Sequence, residues 1–370
     1  RQAGESISVM LILENRQTVL GDCAAVQYSG AGGRDPLFLA EHYIPLLEEK
    51  IKPLLVGREA EEFLTNARYF DELKLDGRRL HTAIRYGLSQ ALLDAAAKAS
   101  GVSMARVILA AYGLDADFER IPIFAQTGDE RYANADKMII KGAEVIPHGL
   151  INNIDDKLGR KGEKLAAYIE WLKKRVAKLK PTPGYLPVFH IDVYGNLGRI
   201  FRNDPAAIAR YLKSLEPAAG EHELYIEGPV DMGERAAQIE VMGAVRRELE
   251  AIGSRVKIVA DEWCNTIEDI KAFTDAKCCH MVQIKTPDLG SLHNVAESVL
   301  YCKEHGMEAY QGGTCNETDV SSRACVNVAV RAERILAKPG MGFDEGYQIV
   351  NNEMERVSAL LGYEEEEQQP

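Results

Sequence analysis

PVFHIDVYG at residues 187–195, ELYIEGPV at 223–230, VKIVADEW at 256–263 and HMVQIKTPD at 280–288 share one pattern. Each is a short apolar run that closes on an ionisable side chain: Asp192, Glu227, Asp261 and Lys285 in turn. Runs of this length bounded by turn residues read as buried strands, and the chain between them reads as helix. Successive strand-then-helix units imply a parallel sheet. Side chains alternate across a strand, so Gln283 and Lys285 share one face, as do His190 and Asp192. Glutamine followed by lysine would fill a dry core poorly. Such a face suits a barrel interior that opens into a polar site at the carboxyl ends of its strands.

Further apolar runs at 121–125, 144–147 and 307–312 extend the alternation, with helices expected at 161–180, 204–215, 234–252, 266–276, 291–305 and 317–337. Asp204 before Pro205 marks one helix start, and Thr266 with Asp269 another. An open doubly wound sheet and a closed barrel both accommodate the order. The ionisable strand ends favour the barrel, and no G-x-G-x-x-G follows an early strand to support a dinucleotide fold. Residues 1–114 have a different rhythm. A hairpin-like pair at 9–13 and 18–28 precedes the small-residue stretch SGAGG at 29–33, and helical patterns follow at 37–54, 60–73 and 79–100. The fold class is therefore α/β: an α+β domain over 1–114, then a β/α barrel over 115–370. The chain opens on Arg1 with a strand close behind, which reads as a start inside a domain. The run Glu364 to Glu367 reads as a solvated tail.

The chain has 370 residues, 46% hydrophobic and 27% charged, with a formal net charge of −12. That balance argues against nucleic-acid binding, which needs a basic footprint, but leaves room for a locally positive site that takes a small anion. The seven cysteines form no CxxC pair, so neither a zinc site nor a disulfide framework is indicated; reduced thiols point to the cytoplasm. No apolar run reaches the roughly 18 residues of a membrane span.

Adjacent strands lie about 4.8 Å apart, so carboxylates on three neighbouring strand ends can meet on one cation. An all-oxygen set suits a hard ion: Mg²⁺ foremost, with calcium and manganese as alternatives. A single carboxylate after a strand is more often a helix cap or turn former. Three in succession followed by a lysine on the next strand favour a metal site with an adjacent base. Lys285 could instead be a surface lysine, but the apolar residues before it and Thr286–Pro287 after it argue against that. Burial beside a dication would lower its pKa toward a working general base for a proton α to a carboxylate.

The strings HIDVYG, IEGP, VADEWCNT, HMVQIKTPDLG and GGTCNET, with CAAVQYSGAGGRDP, RLHTAIRYG, LAKPGMG and DEG, resemble the 3-methylaspartate ammonia-lyase family of the enolase superfamily from about residue 2 to 360. The resemblance implies that residues 1–114 cap the barrel, and that ammonia is reversibly eliminated from L-threo-3-methylaspartate to give mesaconate. In that reading Lys285 removes the C3 proton, an enediolate is stabilised by Mg²⁺ on Asp192, Glu227 and Asp261, and His148 stands opposite the lysine. It assigns substrate contacts to Gln126, Gln283, Thr314 and Cys315, places Gln27 and Phe124 near the amine and methyl groups, and makes Tyr310 and Leu336 lining residues. A monovalent cation such as K⁺, a homodimer and a role in glutamate degradation are implied in the same way. Three departures stand out: the N-terminal stretch of family members is missing, Gln311 stands where a cysteine is more usual, and the helix after Thr318 is a few residues shorter than usual. Other readings are an epimerase or dehydratase of the same superfamily, a Schiff-base enzyme using Lys285, and a binding protein on a barrel scaffold.

Overall fold

The computed structural model describes residues 4–26, 33–115, 119–329, 331–337 and 342–368. The chain begins with an antiparallel hairpin, β1 (Ile7–Ile12) and β2 (Thr18–Cys23), in register from Ile7 opposite Cys23 to Ile12 opposite Thr18. Helix Thr82–Ser100 lies across β2 at close range. A Cβ at Gly21 would stand 2.0 Å from the Gly87 carbonyl oxygen, so a larger residue at Gly21 would force strand and helix apart. The Gln90 amide completes the contact, donating to Asp22 O and accepting from Asp22 N, both at 3.0 Å. A second, two-residue pair, β3 (Lys74–Leu75) and β4 (Arg78–Arg79), turns on Asp76–Gly77 with both φ values positive, the geometry that favours Asp-Gly in hairpins.

Eight parallel strands then close a barrel: β5 (Ile123–Phe124), β6 (Val145–His148), β7 (Val188–Asp192), β8 (Leu224–Glu227), β9 (Lys257–Ala260), β10 (Met281–Ile284), β11 (Glu308–Gln311) and β12 (Arg334–Leu336). Neighbours follow chain order, and β12 pairs with β5 to complete the ring. Helices between the strands cover the outside, with the capping expected at their starts. Asp204 Oδ1 accepts from Ala206 N and Ala207 N, and Thr266 and Asp269 form a reciprocal capping box. The apolar layer between strands and helices includes Phe189, Ile191, Ile226 and Ile258, all fully buried. A smaller cluster fills the barrel itself: Phe124, Val145, Tyr225, Val259, Met281, Tyr310 and Leu336. Tyr86 fastens the first unit to the barrel, its hydroxyl donating to Glu317 Oε2 at 3.0 Å and lying 2.8 Å from Cys325 Sγ.

Two expectations need correction. The helix expected over 317–337 ends at Val328, and the chain re-enters the barrel as β12, which carries Arg334 and Leu336. A three-residue strand is too short to show its own periodicity beside a helical pattern. Nor is Glu364 part of a solvated tail. It lies within the last helix (Gly342–Gln368) and accepts from Ser103 N at 2.6 Å, capping the helix Met104–Ala111. Distance along the chain hides such a contact from a sequence reading. Among the described residues no helix is long and apolar enough to cross a membrane.

Candidate active site

The four ionisable strand ends meet at one mouth of the barrel. Asp192 and Glu227 are direct register partners on β7 and β8. Asp261 and Lys285 are the first residues beyond β9 and β10. All four are at least 93% buried. Backbone geometry aims Asp192, whose Oδ1 accepts from Tyr194 N at 2.9 Å, while a Cβ at Gly228 would stand only 3.2 Å from that oxygen. His148 ends β6, four strands around the ring from β10 in either direction, so it faces Lys285 from across the barrel. Its Nε2 lies 3.5 Å from Asp192 Oδ2.

The charges are not balanced by the side chains alone. Burial, then repulsion from Asp261, pushes Asp192 well above the usual carboxylate range; burial, then Asp192 and Asp261, does the same to Glu227. Asp261 goes the other way. Burial opposes its charge, but Lys285 at 2.8 Å and Arg34 outweigh burial and lower its pKa. Lys285 was expected to be lowered. Burial does act in that direction, but the Asp261 carboxylate outweighs it and holds the ammonium form. Burial lowers His148 to about 4, which keeps its ring neutral.

One ligand atom each from His148, Asp192 and Glu227 lies within 4.8 Å of the others. That grouping differs from the expected oxygen triad in holding His148 in place of Asp261, whose Oδ1 is paired with Lys285 at 2.8 Å. Two buried carboxylates, Asp192 raised by burial and by Asp261, and Glu227 raised by burial, by Asp192 and by Asp261, are what a dication would relieve, so they fit a hard metal ion.

The remaining expected residues divide by depth. Gln283 and Tyr310 point into the barrel and hold Glu227: Gln283 Nε2 donates to Oε1 at 2.8 Å, and the Tyr310 hydroxyl lies 2.9 and 2.8 Å from the two oxygens. Phe124 stacks on His190 at 4.2 Å, and Leu336 joins it in the barrel interior. Gln126, half-buried, follows β5; buried Thr314 and half-buried Cys315 follow β11. Gln27 lies outside the described residues. Gln311 donates to Cys325 O at 2.7 Å on the helix side of β11, away from the mouth.

Three residues without a role in the sequence reading belong to this region. Arg34 reaches from the first unit to the loops after β9 and β10. Its Nε donates to Asp288 Oδ2 at 2.7 Å, its Nη2 to Asn265 Oδ1 at 2.9 Å, and its Nη1 lies 3.5 Å from Glu262 Oε2. Its place directly after SGAGG was the available signal. His190 Nε2 lies 2.7 Å from Glu227 Oε2, and Arg334 Nη1 lies 3.3 Å from His190 Nδ1. The shared face of His190 and Asp192 was legible; Arg334 was hidden with β12.

A parallel barrel with a capping unit, and with buried carboxylates and a lysine on its carboxyl rim, defines an enolase-type barrel enzyme. Family profiles agree: Methylaspartate ammonia-lyase N-terminus matches residues 1–113, and Methylaspartate ammonia-lyase C-terminus matches residues 115–363. The chain belongs to the methylaspartate ammonia-lyase family. It is 61% identical to the methylaspartate ammonia-lyase of Citrobacter amalonaticus, over 98% of this chain and 88% of that one. The crystal structure of that enzyme containing (2S,3S)-3-methylaspartic acid superposes with a TM-score of 0.96, again over 98% and 88%. The Mg complex of β-methylaspartase from Clostridium tetanomorphum is 55% identical with a TM-score of 0.94, over the same shares. Muconate lactonizing enzyme from Pseudomonas putida, 15% identical over 89% of this chain and 80% of that one, has a TM-score of 0.62 and shares the fold alone.

Proposed function

We propose that this chain reversibly eliminates ammonia from L-threo-3-methylaspartate to give mesaconate, with Lys285 as the base at C3. The observation that carries this reading is the opposition of Lys285 and His148 across a ring whose mouth holds Asp192, Glu227 and Asp261. The three carboxylates would hold Mg²⁺, which when bound supplies positive charge to a substrate carboxylate and so acidifies the neighbouring C–H. Lys285 Nζ removes the C3 proton, and the electron pair that remains forms the C2=C3 double bond as the C2–N bond breaks. Asp261 is the main partner that keeps Lys285 protonated, so committing Asp261 to a cation would free the amine to act as a base. His148, neutral and on the opposite side, contacts a substrate carboxylate and serves the C3 proton of the other epimer.

Gln126, Gln283, Thr314 and Cys315 orient the two carboxylates, while Gln27, Phe124, Tyr310 and Leu336 shape the space for amine and methyl. Residues 1–114 act as the cap of a catalytic barrel over 115–370. Homodimer assembly, a K⁺ requirement, a cytoplasmic location and a part in glutamate degradation belong to the same proposal, supported by family membership.

The test is ultraviolet absorbance of the conjugated diacid, with L-threo-3-methylaspartate and either Mg²⁺ or chelator. The signal should grow with Mg²⁺ alone and vanish in Lys285→Ala, together with solvent exchange at C3. A folded protein giving no signal with Mg²⁺ would redirect the assignment to an epimerase or dehydratase. Exchange retained in Lys285→Ala would remove Lys285 from the base role.

A further inference from the structure

Below the rim, the barrel encloses polar groups that the proposed chemistry does not use. His190 is fully buried, its ring stacked on Phe124 at 4.2 Å and facing Tyr225 at 5.8 Å, so its plane is fixed. Arg334 is 95% buried, with its guanidinium carbon 4.2 Å from the centroid of the Tyr225 ring. Its Nη1 meets His190 Nδ1 at 3.3 Å, and among the described residues its Nε has no hydrogen-bond partner.

A guanidinium can only donate. The His190 Nδ1 must therefore accept, and a neutral ring then carries its single proton on Nε2, the nitrogen 2.7 Å from Glu227 Oε2. That approach lies off the N–H axis, so Nε2 is not engaged in a straight hydrogen bond; even so, the positive end of the N–H dipole faces the carboxylate. In the other tautomer a lone pair would face Glu227 at the same distance and repel it. Gln283 and Tyr310 also present donors to Glu227. These three side chains thus surround the Glu227 carboxylate with donors and fix its orientation.

We infer that Arg334 and His190 are positioning residues, Arg334 fixing the Nε2–H tautomer of His190 and His190 thereby holding the Glu227 carboxylate in place as a ligand for the divalent cation. The inference rests on the metal reading above and extends it to β12. Groups behind a metal ligand set its orientation and charge, and their loss commonly costs about 10–100-fold in metal affinity.

The test pairs calorimetric titration of Mg²⁺ into the substrate-free protein with ¹⁵N NMR of labelled histidine side chains. In the wild type, the His190 shifts should report a protonated Nε2 and an unprotonated Nδ1; the reverse assignment overturns the inference without any variant. Arg334→Met should weaken Mg²⁺ binding by about 10-fold or more, and Arg334→Lys, which still donates, should restore most of it. His190→Gln places an amide donor near the old Nε2 whatever Arg334 does, so adding Arg334→Met to it should change affinity by less than about 2-fold, well short of the loss in the histidine background. Wild-type affinity in Arg334→Met, or an equal loss in both backgrounds, would reduce Arg334 to a structural cation. A wild type that takes up no Mg²⁺ would sink the metal reading itself, while the tautomer measurement still decides what Arg334 does to His190.

Discussion

Replacing Asp192 by Asn should make the protein more stable without metal and blind to it. The ligand atoms of Asp192 and Glu227 lie within 4.8 Å of each other in a buried site. At an effective dielectric of about 20, repulsion between two unit charges at that distance is about 3 kcal/mol. The asparagine side chain of Asp192→Asn would keep an oxygen for the Tyr194 N–H and would break no ion pair with His148, whose ring burial keeps neutral. Unfolding entropy of about 2.1 cal/mol/K per residue means that about 3 kcal/mol raises Tm by about 4 °C in a chain of 370 residues. The assay is a thermal melt of wild type and Asp192→Asn, each in chelator and in saturating Mg²⁺. The wild type should start lower and gain on metal addition, by about 2.7 kcal/mol at a hundredfold excess over Kd; the variant should start higher and not move. A variant that melts at or below the wild type in chelator would refute the repulsion argument. One that still gains stability from Mg²⁺ would remove Asp192 from the ligand set.

Arg34→Gln leaves Asp288 buried without its cation, which should cost about 3 kcal/mol, or about 4 °C in Tm. Adding Asp288→Asn should recover part of the loss, and a double variant as unstable as the single would exclude the pairing. His280 lies outside the active site and accepts from Ile258 N at 3.0 Å, and burial, then Arg246, lowers its pKa to about 4. An unfolded histidine titrates near 6.5, so between about 6.5 and 4 the unfolded chain binds the extra proton. The contribution is complete above 6.5 and disappears as pH falls toward 4, up to about 3 kcal/mol. Melts of wild type and His280→Gln should therefore converge between pH 7 and 4.5, and a constant gap would contradict the depressed pKa.

The alternation of apolar runs and helical stretches, written into the chain at short range, determined the parallel barrel and the rim positions of Asp192, Glu227, Asp261 and Lys285. Each run is long enough to show where its strand ends, and the period of two assigned Gln283 and His190 to the inner face. Tertiary structure decided what local pattern cannot carry. Strand β12 has three residues and no period of its own, so the ring closure and the inward course of Arg334 appear only when the sheet is assembled. Arg34 meets Asp288 and Glu364 meets Ser103 across more than 250 positions each, contacts set by which surfaces pack together. Charge state belongs here as well. Burial alone would lower Lys285, and nearby carboxylates, Asp261 foremost, reverse the sign, because Coulomb energy depends on separation in space and chain order says nothing about that separation.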